Sequence, residues 1–306
     1  MSSETALATL APEIDGVDSS TPAPHEPVRS QPRTSRAPRT VLVLMLAVFA
    51  ALTLLPFFWV ISGSLRSLDD IRSDPGAWLP SAVTFDNFAR LFSTEGFGGY
   101  LTNSVVVALI VVAGNVIAAS AAGYALAKFD FAGKRIAFIG VMVALMVPYT
   151  AVFVPQFVIT ANLGLVNTLA GIALPSVALP ISIFIMRQYA GSVPDELIES
   201  ARIDGAGEFR IFARIFLPLA GPAIATITIM SFLASWNNFI WPLVVAQSSS
   251  TYTLPVALAA TSQAASHVTD YGLVLAGAIV VMLPVLVLFL LLQRYFVQGI
   301  AATGLR

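Results

Sequence analysis

The sequence predicts an all-α polytopic membrane protein with six transmembrane helices. Hydrophobic residues make up 57% of the 306 residues and charged residues only 11%, whereas soluble domains carry about 25% charged residues. The apolar residues form six runs, each close to or above the length of about 20 residues that crosses a bilayer. The connections between these runs are too short to form a soluble lobe of any size. We therefore expect a single membrane domain.

The N-terminal segment 1–40 is predicted to be a disordered tail. It is rich in Ser, Thr, Pro and Ala, and its acidic residues precede four arginines between positions 29 and 39. A segment of this composition buries too little apolar surface to become ordered. The first apolar run, 41–61, is longer than the core of a secretory signal, which reaches about 15 residues. We therefore expect an uncleaved first span.

Five further spans are expected at 100–127, 136–160, 171–189, 219–245 and 272–293. Six spans place both termini on the same side of the membrane.

The distribution of basic residues predicts which side that is. Thirteen of the 16 Lys and Arg residues lie on the side of the termini, and only Arg66, Arg72 and Arg90 lie opposite. Because cytoplasmic loops carry the excess of basic residues, both termini are predicted to be cytoplasmic. The expected organisation is a cytoplasmic tail, a six-helix transmembrane domain at 41–300 and a short cytoplasmic tail at 301–306.

A charged segment at 192–218 lies between two long stretches that contain no Asp, Glu, Lys or Arg. Ser192 is a residue type favoured at helix N-caps, and Pro194 is favoured in the first turn, so a short helix is expected to begin there. A glycine pair at 205 and 207 then interrupts the helical pattern. These features predict a water-exposed loop with a helix on each side of a glycine elbow.

The second half of the charged segment is expected to form a helix at 208–216 that ends at Pro218. Its apolar residues fall at roughly helical spacing. Apolar side chains on a loop in water predict a docking surface for a partner. An amphipathic loop lying on the bilayer surface is the alternative.

The charged segment resembles the permease subunits of ATP-binding-cassette importers. Their pattern is Glu-Ala-Ala, three residues, Gly, nine residues and Ile-x-Leu-Pro, and this chain has Glu199-Ser200-Ala201, Gly205 and Ile215-Phe216-Leu217-Pro218 at the same spacings. The resemblance implies a type I ABC importer permease fold, in which this loop is the coupling helix that sits in a cleft of a cytoplasmic ATPase. It assigns ATPase coupling to Glu199, Ser200, Ala201, Asp204, Gly205, Ile215, Leu217 and Pro218.

Other motifs make the resemblance more specific. Tyr124-Ala125-Leu126-Ala127, Met146-Val147-Pro148 and the run from Gln293 to Gly299 look like the carbohydrate-uptake permeases, in particular the smaller six-span partner of the maltose-type pair. This implies a bacterial cell-membrane complex with a sibling permease, two ATP-binding-cassette ATPase subunits and an extracytoplasmic substrate-binding protein. The implied substrate is a mono- or oligosaccharide or a related polyol, with no cofactor and no nucleic acid.

The predicted fifth span carries a polar stripe. Its members recur at offsets of three, four and three residues, which places them on one helix face: Thr228, Ser231, Ser235 and Asn238. Polar groups in a membrane helix face the protein interior or a water-filled path. Ser231, Ser235, Asn237 and Asn238 are therefore candidates for the substrate path, and hydrogen bonding between helices is the alternative.

The same region resembles the family's Trp-Asn-acid-Phe motif. Asn238 stands where the acid is usual, and Trp236 and Trp241 are also residue types that anchor helices at the membrane interface. In the predicted second span, Gly114, Ala118 and Ala122 recur every four residues, which predicts the close approach of a neighbouring backbone.

Several absences bear on the energy source. The predicted span cores contain no ionisable residue of the kind that proton- or ion-coupled carriers use, and the chain has no phosphate-binding loop motif. The two histidines, His25 and His267, form no catalytic or metal-binding pattern, and there is no cysteine.

We therefore expect a transport subunit that is not itself an enzyme, with ATP hydrolysis carried out by a separate subunit. An importer permease for a non-sugar solute, an ATP-independent carrier or channel, and a structural membrane subunit are the alternatives.

Overall fold

The computed structural model describes residues 39–93, 95–264 and 270–303, and all regular structure within them is helical. Most of the predicted N-terminal tail, both histidines and the last three residues lie outside the described part. The chain divides into two compact units within its first helix. The unit Met1–Ala51 contributes the start of that helix, and the unit Leu52–Arg306 contains every other element.

The helices are α1 Arg39–Ser64, α2 Leu68–Ser73, α3 Asp86–Ser93, α4 Phe97–Lys128, α5 Lys134–Met146, α6 Tyr149–Asn162, α7 Leu169–Ala173, α8 Pro180–Ser192, α9 Asp195–Ile203, α10 Glu208–Ile211, α11 Leu217–Leu219, α12 Gly221–Trp236, α13 Ile240–Val245, α14 Leu254–Ala264 and α15 Tyr271–Thr303.

Among the described residues, α1, α4 and α15 are each long and apolar enough to cross a membrane. Three helix pairs meet the same criteria together but are bent. The bend is 104° between α5 and α6, 42° between the segment Leu169–Ser176 and α8, and 75° between Glu208–Leu219 and α12. If each bent pair is one span, the chain crosses the membrane up to six times, as the sequence predicts.

At two of the bends an extended residue stands directly before a proline. The residue before a proline is pushed out of the helical region because the proline ring clashes with its backbone. Val147, before Pro148, has ψ 120°, and Leu179, before Pro180, has ψ 130°. Each proline thus ends one helical piece and allows the next to start in a new direction.

The fifth predicted span, 219–245, is not one continuous helix. α12 ends at Trp236, and α13 starts at Ile240 after an irregular turn. Asn238 therefore lies in the break and not on the helical polar stripe. Trp236 and Trp241 are both buried inside the protein: their indole N–H groups donate to Val281 O at 2.9 Å and to Gly171 O at 3.2 Å. Anchoring at the membrane interface is therefore the wrong interpretation for both tryptophans.

α4 lies at the centre of the second unit and packs most closely against α8. A Cβ at Gly123 would lie 2.8 Å from the backbone nitrogen of Arg187, and a Cβ at Gly114 would lie 2.9 Å from the backbone oxygen of Val177. The predicted close approach is thus confirmed at Gly114, and Gly123 supplies a second contact of the same kind.

Asn115 braces the bend that precedes α8. Its wholly buried side chain donates through Nδ2 to Val111 O at 2.9 Å and to Ser176 O at 2.6 Å, and Oδ1 accepts from the Leu179 N–H at 2.8 Å. A broken helix leaves backbone groups that lipid cannot satisfy. Asn115 supplies the missing partners for two of them.

The long connection between α1 and α4 is held by buried polar side chains. Arg66 is only 3% exposed and pairs with Asp70 Oδ2 at 2.7 Å. Asn87, also buried, donates through Nδ2 to Ser64 O and Arg66 O at the end of α1. This connection is therefore an ordered segment that packs against the end of α1.

Candidate functional site

The charged segment begins differently from the prediction. α8 extends through Ser192, whose hydroxyl donates to Tyr189 O at 2.7 Å, so it closes the preceding helix. α9 begins at Asp195 after Pro194, which offers no side-chain cap. Ser192 is therefore not the N-cap. Acidic residues in the first turn, Asp195 and Glu196, complement the positive end of the α9 dipole instead.

The glycine elbow has the geometry of a left-handed helix end. Gly205 has φ +81°, its N–H donates to Arg202 O, and the next N–H, of Ala206, donates to Ala201 O at 3.0 Å. This pair of bonds is a Schellman motif, in which glycine is favoured because it lacks a Cβ. Gly207 has an ordinary φ of −69° and precedes α10.

An ion pair spans this elbow. Arg202 Nε lies 2.8 Å from Glu208 Oε1, and both side chains are about half exposed. The Glu208 carboxylate raises the pKa of the Arg202 guanidinium. Exposed pairs of this kind contribute little to stability because water screens them, so the turn itself rests mainly on the backbone bonds.

The second half of the charged segment runs beyond its predicted end. Residues 212–216 form a π-helical turn, and α11 carries the helix through Pro218. The Leu217 N–H bonds to Phe212 O, five residues back. The wider π turn makes room for a proline ring that would clash with a carbonyl of an ordinary α-helix.

Aromatic packing holds the charged segment against α4. The Tyr124 ring lies 4.5 Å from the Phe216 ring and 5.2 Å from the Phe212 ring, measured between centroids. Ile198 and Ile211 are buried in the same cluster. The inner faces of α9 and α10 are thereby fixed to the helix bundle.

Lys128, at the end of α4, makes a second attachment. Its Nζ donates to Val193 O at 2.5 Å and to Asp195 Oδ1 at 2.6 Å. The lysine side chain is 7% exposed and the aspartate 75% exposed. The hydrogen bond from Lys128 lowers the pKa of the Asp195 carboxyl, which therefore stays ionised over a wider range of pH.

The outer face of the charged segment exposes large apolar side chains. Ile203 is 86% exposed, Phe209 is 82% exposed, and Leu197 is 46% exposed. They stand among acidic residues on a loop whose other face is firmly packed. An arrangement of this kind suits a partner with an apolar pocket and basic groups around it.

The predicted coupling residues fall into two groups. Five are exposed and available to a partner: Glu199, Ser200, Asp204, Gly205 and Pro218. The other three pack against the buried cluster and position the segment: Ala201, Ile215 and Leu217. The sequence motif did not single out Ile203 and Phe209, which are the most exposed apolar side chains here. For Phe209 the roughly helical spacing of the apolar residues in the second half of the segment was the available signal, and no pattern singled out Ile203.

The predicted path residues are spread along α12 and the break after it. Ser231 is wholly buried, and its hydroxyl has no hydrogen-bond partner in the described structure. Ser235 and Asn238 are half-buried, and Asn237 is exposed. Ser235 and the two asparagines thus reach a surface of this chain, whereas Ser231 does not. Among the described residues, no cluster of three or more His, Asp or Glu could hold a metal ion.

Residues 114–302 match the family model described as binding-protein-dependent transport system inner membrane component. The chain is 36% identical to the arabinooligosaccharides transport system permease protein of Halalkalibacterium halodurans, over 90% of this chain and 99% of that protein. It is 34% identical to the lactose transport system permease protein of Rhizobium radiobacter, over 86% of this chain and 95% of that protein.

Solved structures show the same architecture. A chain from a bacterial ABC transporter that imports the acidic polysaccharide alginate superposes with a TM-score of 0.77 at 25% identity, covering 87% of this chain and all of that one. A chain from the alginate transporter in complex with its pentasaccharide-bound periplasmic protein gives a TM-score of 0.58 at 15% identity and shares the fold.

Proposed function

The chain belongs to the family of binding-protein-dependent transport system inner membrane components, and from that premise we propose that its charged segment is the site where a cytoplasmic ATPase couples to transport. The chain is a multi-pass membrane permease subunit of an ATP-binding-cassette importer for carbohydrate. It is a transport subunit and not an enzyme. The family depends on a separate binding protein, which delivers the solute from outside.

The observation that carries the coupling proposal is the pair of exposed apolar side chains on a rigidly attached loop. Ile203 and Phe209 flank the Gly205 elbow and are more than four-fifths exposed. Tyr124 and Lys128 tie the same loop to α4. A force applied by a partner at the elbow would therefore pass to the helix bundle without being lost in a flexible loop.

The proposed complex contains this chain, a sibling permease, two ATPase subunits and the binding protein. Alternating access follows from this assembly: closure of the ATPases moves the charged segment, and the bundle turns its pathway outward. The excess of basic residues on the side of the termini supports a cytoplasmic position for both termini and for the charged segment.

We further propose that Ser235, Asn237 and Asn238 line part of the substrate path and that Ser231 borders it. The break between α12 and α13 supports this, because irregular backbone within a membrane protein occurs where it is packed in protein or lines a cavity. Hydroxyl and amide groups are suited to hydrogen bonding with a sugar. Relatives named for the transport of arabinooligosaccharides, lactose and trehalose support a mono- or oligosaccharide or a related polyol as the substrate class.

One experiment tests the function as a whole. The tagged chain is purified from bacterial membranes in mild detergent, and the co-purifying subunits are identified by mass spectrometry. We expect a second permease and an ATP-binding-cassette ATPase, and we expect no ATP binding by the chain once it is stripped of the ATPase. Saturable ATP binding by the isolated chain, or purification as a lone carrier that transports without ATP, would contradict the proposal.

A further inference from the structure

A basic cavity opens beside the start of α5, between that helix and α8. It has a volume of about 630 Å³, and its lining includes three cationic side chains: Lys134, Arg135 and Arg187. Among the described lining residues none is acidic. Lys134 Nζ pairs at 3.1 Å with the fully exposed Asp130 carboxylate outside this lining. The cavity therefore carries a net positive charge and favours an anion.

Arg187 is held in a position to bind such an anion. Its guanidinium carbon lies 3.7 Å from the centre of the Phe138 ring, a cation–π contact that orients the group. One Nη donates to Gln188 Oε1, but the buried Nε has no hydrogen-bond partner in the described structure. A buried, unsatisfied donor of this kind is uncommon, because it costs about 1–3 kcal/mol. Because Arg187 lines the cavity, a bound anion would instead meet the more accessible part of its guanidinium.

The start of α5 adds a further positive contribution. Gly133, with φ +88°, precedes the helix and provides no side-chain cap. The first N–H groups of a helix and its dipole together favour a bound anion. Lys134 and Arg135 stand on this same first turn, so backbone and side chains act in the same direction.

The rest of the cavity is apolar and continues onto an exposed helix face. Phe131 and Ile136 line it and are 46% and 76% exposed. No residue of α5 is buried. The ligand should therefore join an anionic group to hydrocarbon, with the anion beside the arginines and the hydrocarbon along α5.

We propose that this cavity binds the phosphate of an anionic phospholipid in the leaflet on the side of the 128–135 loop. Basic pockets between membrane helices recognise lipid headgroups through the same charge pairing. The site requires only that the chain lies in a bilayer, so it stands apart from the proposed coupling to an ATPase.

The test is native mass spectrometry of the chain, with the subunits that co-purify, after exchange into nanodiscs of equal phosphatidylglycerol and phosphatidylcholine. Retained lipids are counted after release into mild detergent. We expect preferential retention of phosphatidylglycerol, reduced about fivefold in Arg135→Gln and by a further factor of about five in Arg135→Gln/Arg187→Gln, since each cation near a membrane surface contributes on the order of a fivefold change. Arg72→Gln removes one charge from an exposed position in α2, and this variant should retain lipid normally.

Arg135 is exposed and makes none of the bonds of the core, so the single variant tests the site even where the double variant does not fold. Addition of inorganic phosphate in place of lipid separates the two sources of the anion. Equal retention of phosphatidylglycerol and phosphatidylcholine would overturn the proposal, as would equal retention by wild type and Arg135→Gln. Displacement of lipid by millimolar phosphate would overturn the proposal and assign the site to a free anion. Loss of the bound lipid whenever another subunit co-purifies would overturn it as well and assign the cavity to a protein contact.

Discussion

Gly205 is the residue at which the charged segment reverses direction, and its backbone restricts what can replace it. A side chain in the left-handed region costs about 1–2 kcal/mol, and more when it is β-branched. No atom lies within 4 Å of a Cβ placed at Gly205 or at Gly207. A substitution at either position therefore tests backbone conformation without crowding within this chain.

Gly205→Val is expected to abolish uptake while the chain still inserts in the membrane. The valine would move Gly205 out of φ +81° and change the angle between α9 and α10. Gly207→Val is the matched control, because φ −69° is open to any residue, and it should keep most of the uptake. The measurements are sugar uptake by whole cells and the amount of chain in isolated membranes. Equal uptake by the two variants would remove the elbow from the mechanism.

Asp70 gives a prediction on pH. The hydrogen bond from Arg66 lowers the pKa of the Asp70 carboxyl from 3.8 to about 2. Its ion pair therefore contributes stability that is fully present above pH 3.8 and is lost as the pH falls through about 2. Asp70→Asn should lower the thermal unfolding midpoint at neutral pH, and the difference from wild type should shrink between pH 4 and pH 2.

Asp69→Asn is the control for that prediction, because Asp69 is an exposed neighbour in the same helical turn. It should show a smaller difference from wild type at neutral pH. The unfolding midpoint is measured in detergent at a series of pH values. An Asp70→Asn difference that stays constant down to pH 2 would contradict the assigned ion pair.

At the level of elements, the sequence predicts where helices lie better than where they break. The apolar runs locate α1, α4 and α15, but the predicted span 136–160 runs without a break across Pro148. The 104° turn that follows it is not visible, because its size depends on packing. Asn115 is one of several polar residues in the second span, and only the fold shows that it braces residues about sixty positions away.

The role of the polar stripe can be tested by replacing its residues with a larger, apolar side chain. Ser235→Leu and Asn238→Leu should each reduce uptake, because they would replace a half-exposed polar group by an apolar side chain at the proposed path. Ala234→Leu is the matched control, since Ala234 is exposed on the same helix at a different angle. Uptake and assembly of the complex are measured together. If Leu at 235 and at 238 leaves uptake unchanged, these residues serve only in packing.

For the molecule as a whole, the basic residues of the sequence predict the orientation in the membrane. The fold alone does not test this orientation. The chain has no cysteine, so single introduced cysteines report accessibility without background. Ser249→Cys should react with a membrane-impermeant thiol reagent in intact cells, and Ser200→Cys should react only after the membrane is opened. Both positions are exposed in this chain. Labelling at 200 in intact cells would reverse the orientation.

The candidate site shows what sequence could supply and what it could not. Gly205 and the surrounding motif were recognisable because a left-handed turn calls for glycine. The attachment of Lys128 to Val193 and Asp195 was not recognisable from the sequence, because no local pattern links positions so far apart in the chain. The prediction that Ser192 is an N-cap was wrong for a related reason. Ser is favoured at N-caps, but here the preceding helix extends through Ser192.

The most direct test of coupling uses the exposed apolar side chains beside the elbow. Burying two such side chains contributes about 3–6 kcal/mol, so Ile203→Asp/Phe209→Asp should weaken ATPase binding by at least about a hundredfold. Leu79→Asp/Val83→Asp is the matched control, because both residues are similarly exposed in the connection between α1 and α4. The measurement is the ratio of ATPase to tagged chain after purification in mild detergent. We expect loss of the ATPase from the first variant alone, and an unchanged ratio with normal uptake in that variant would contradict the coupling role of the charged segment.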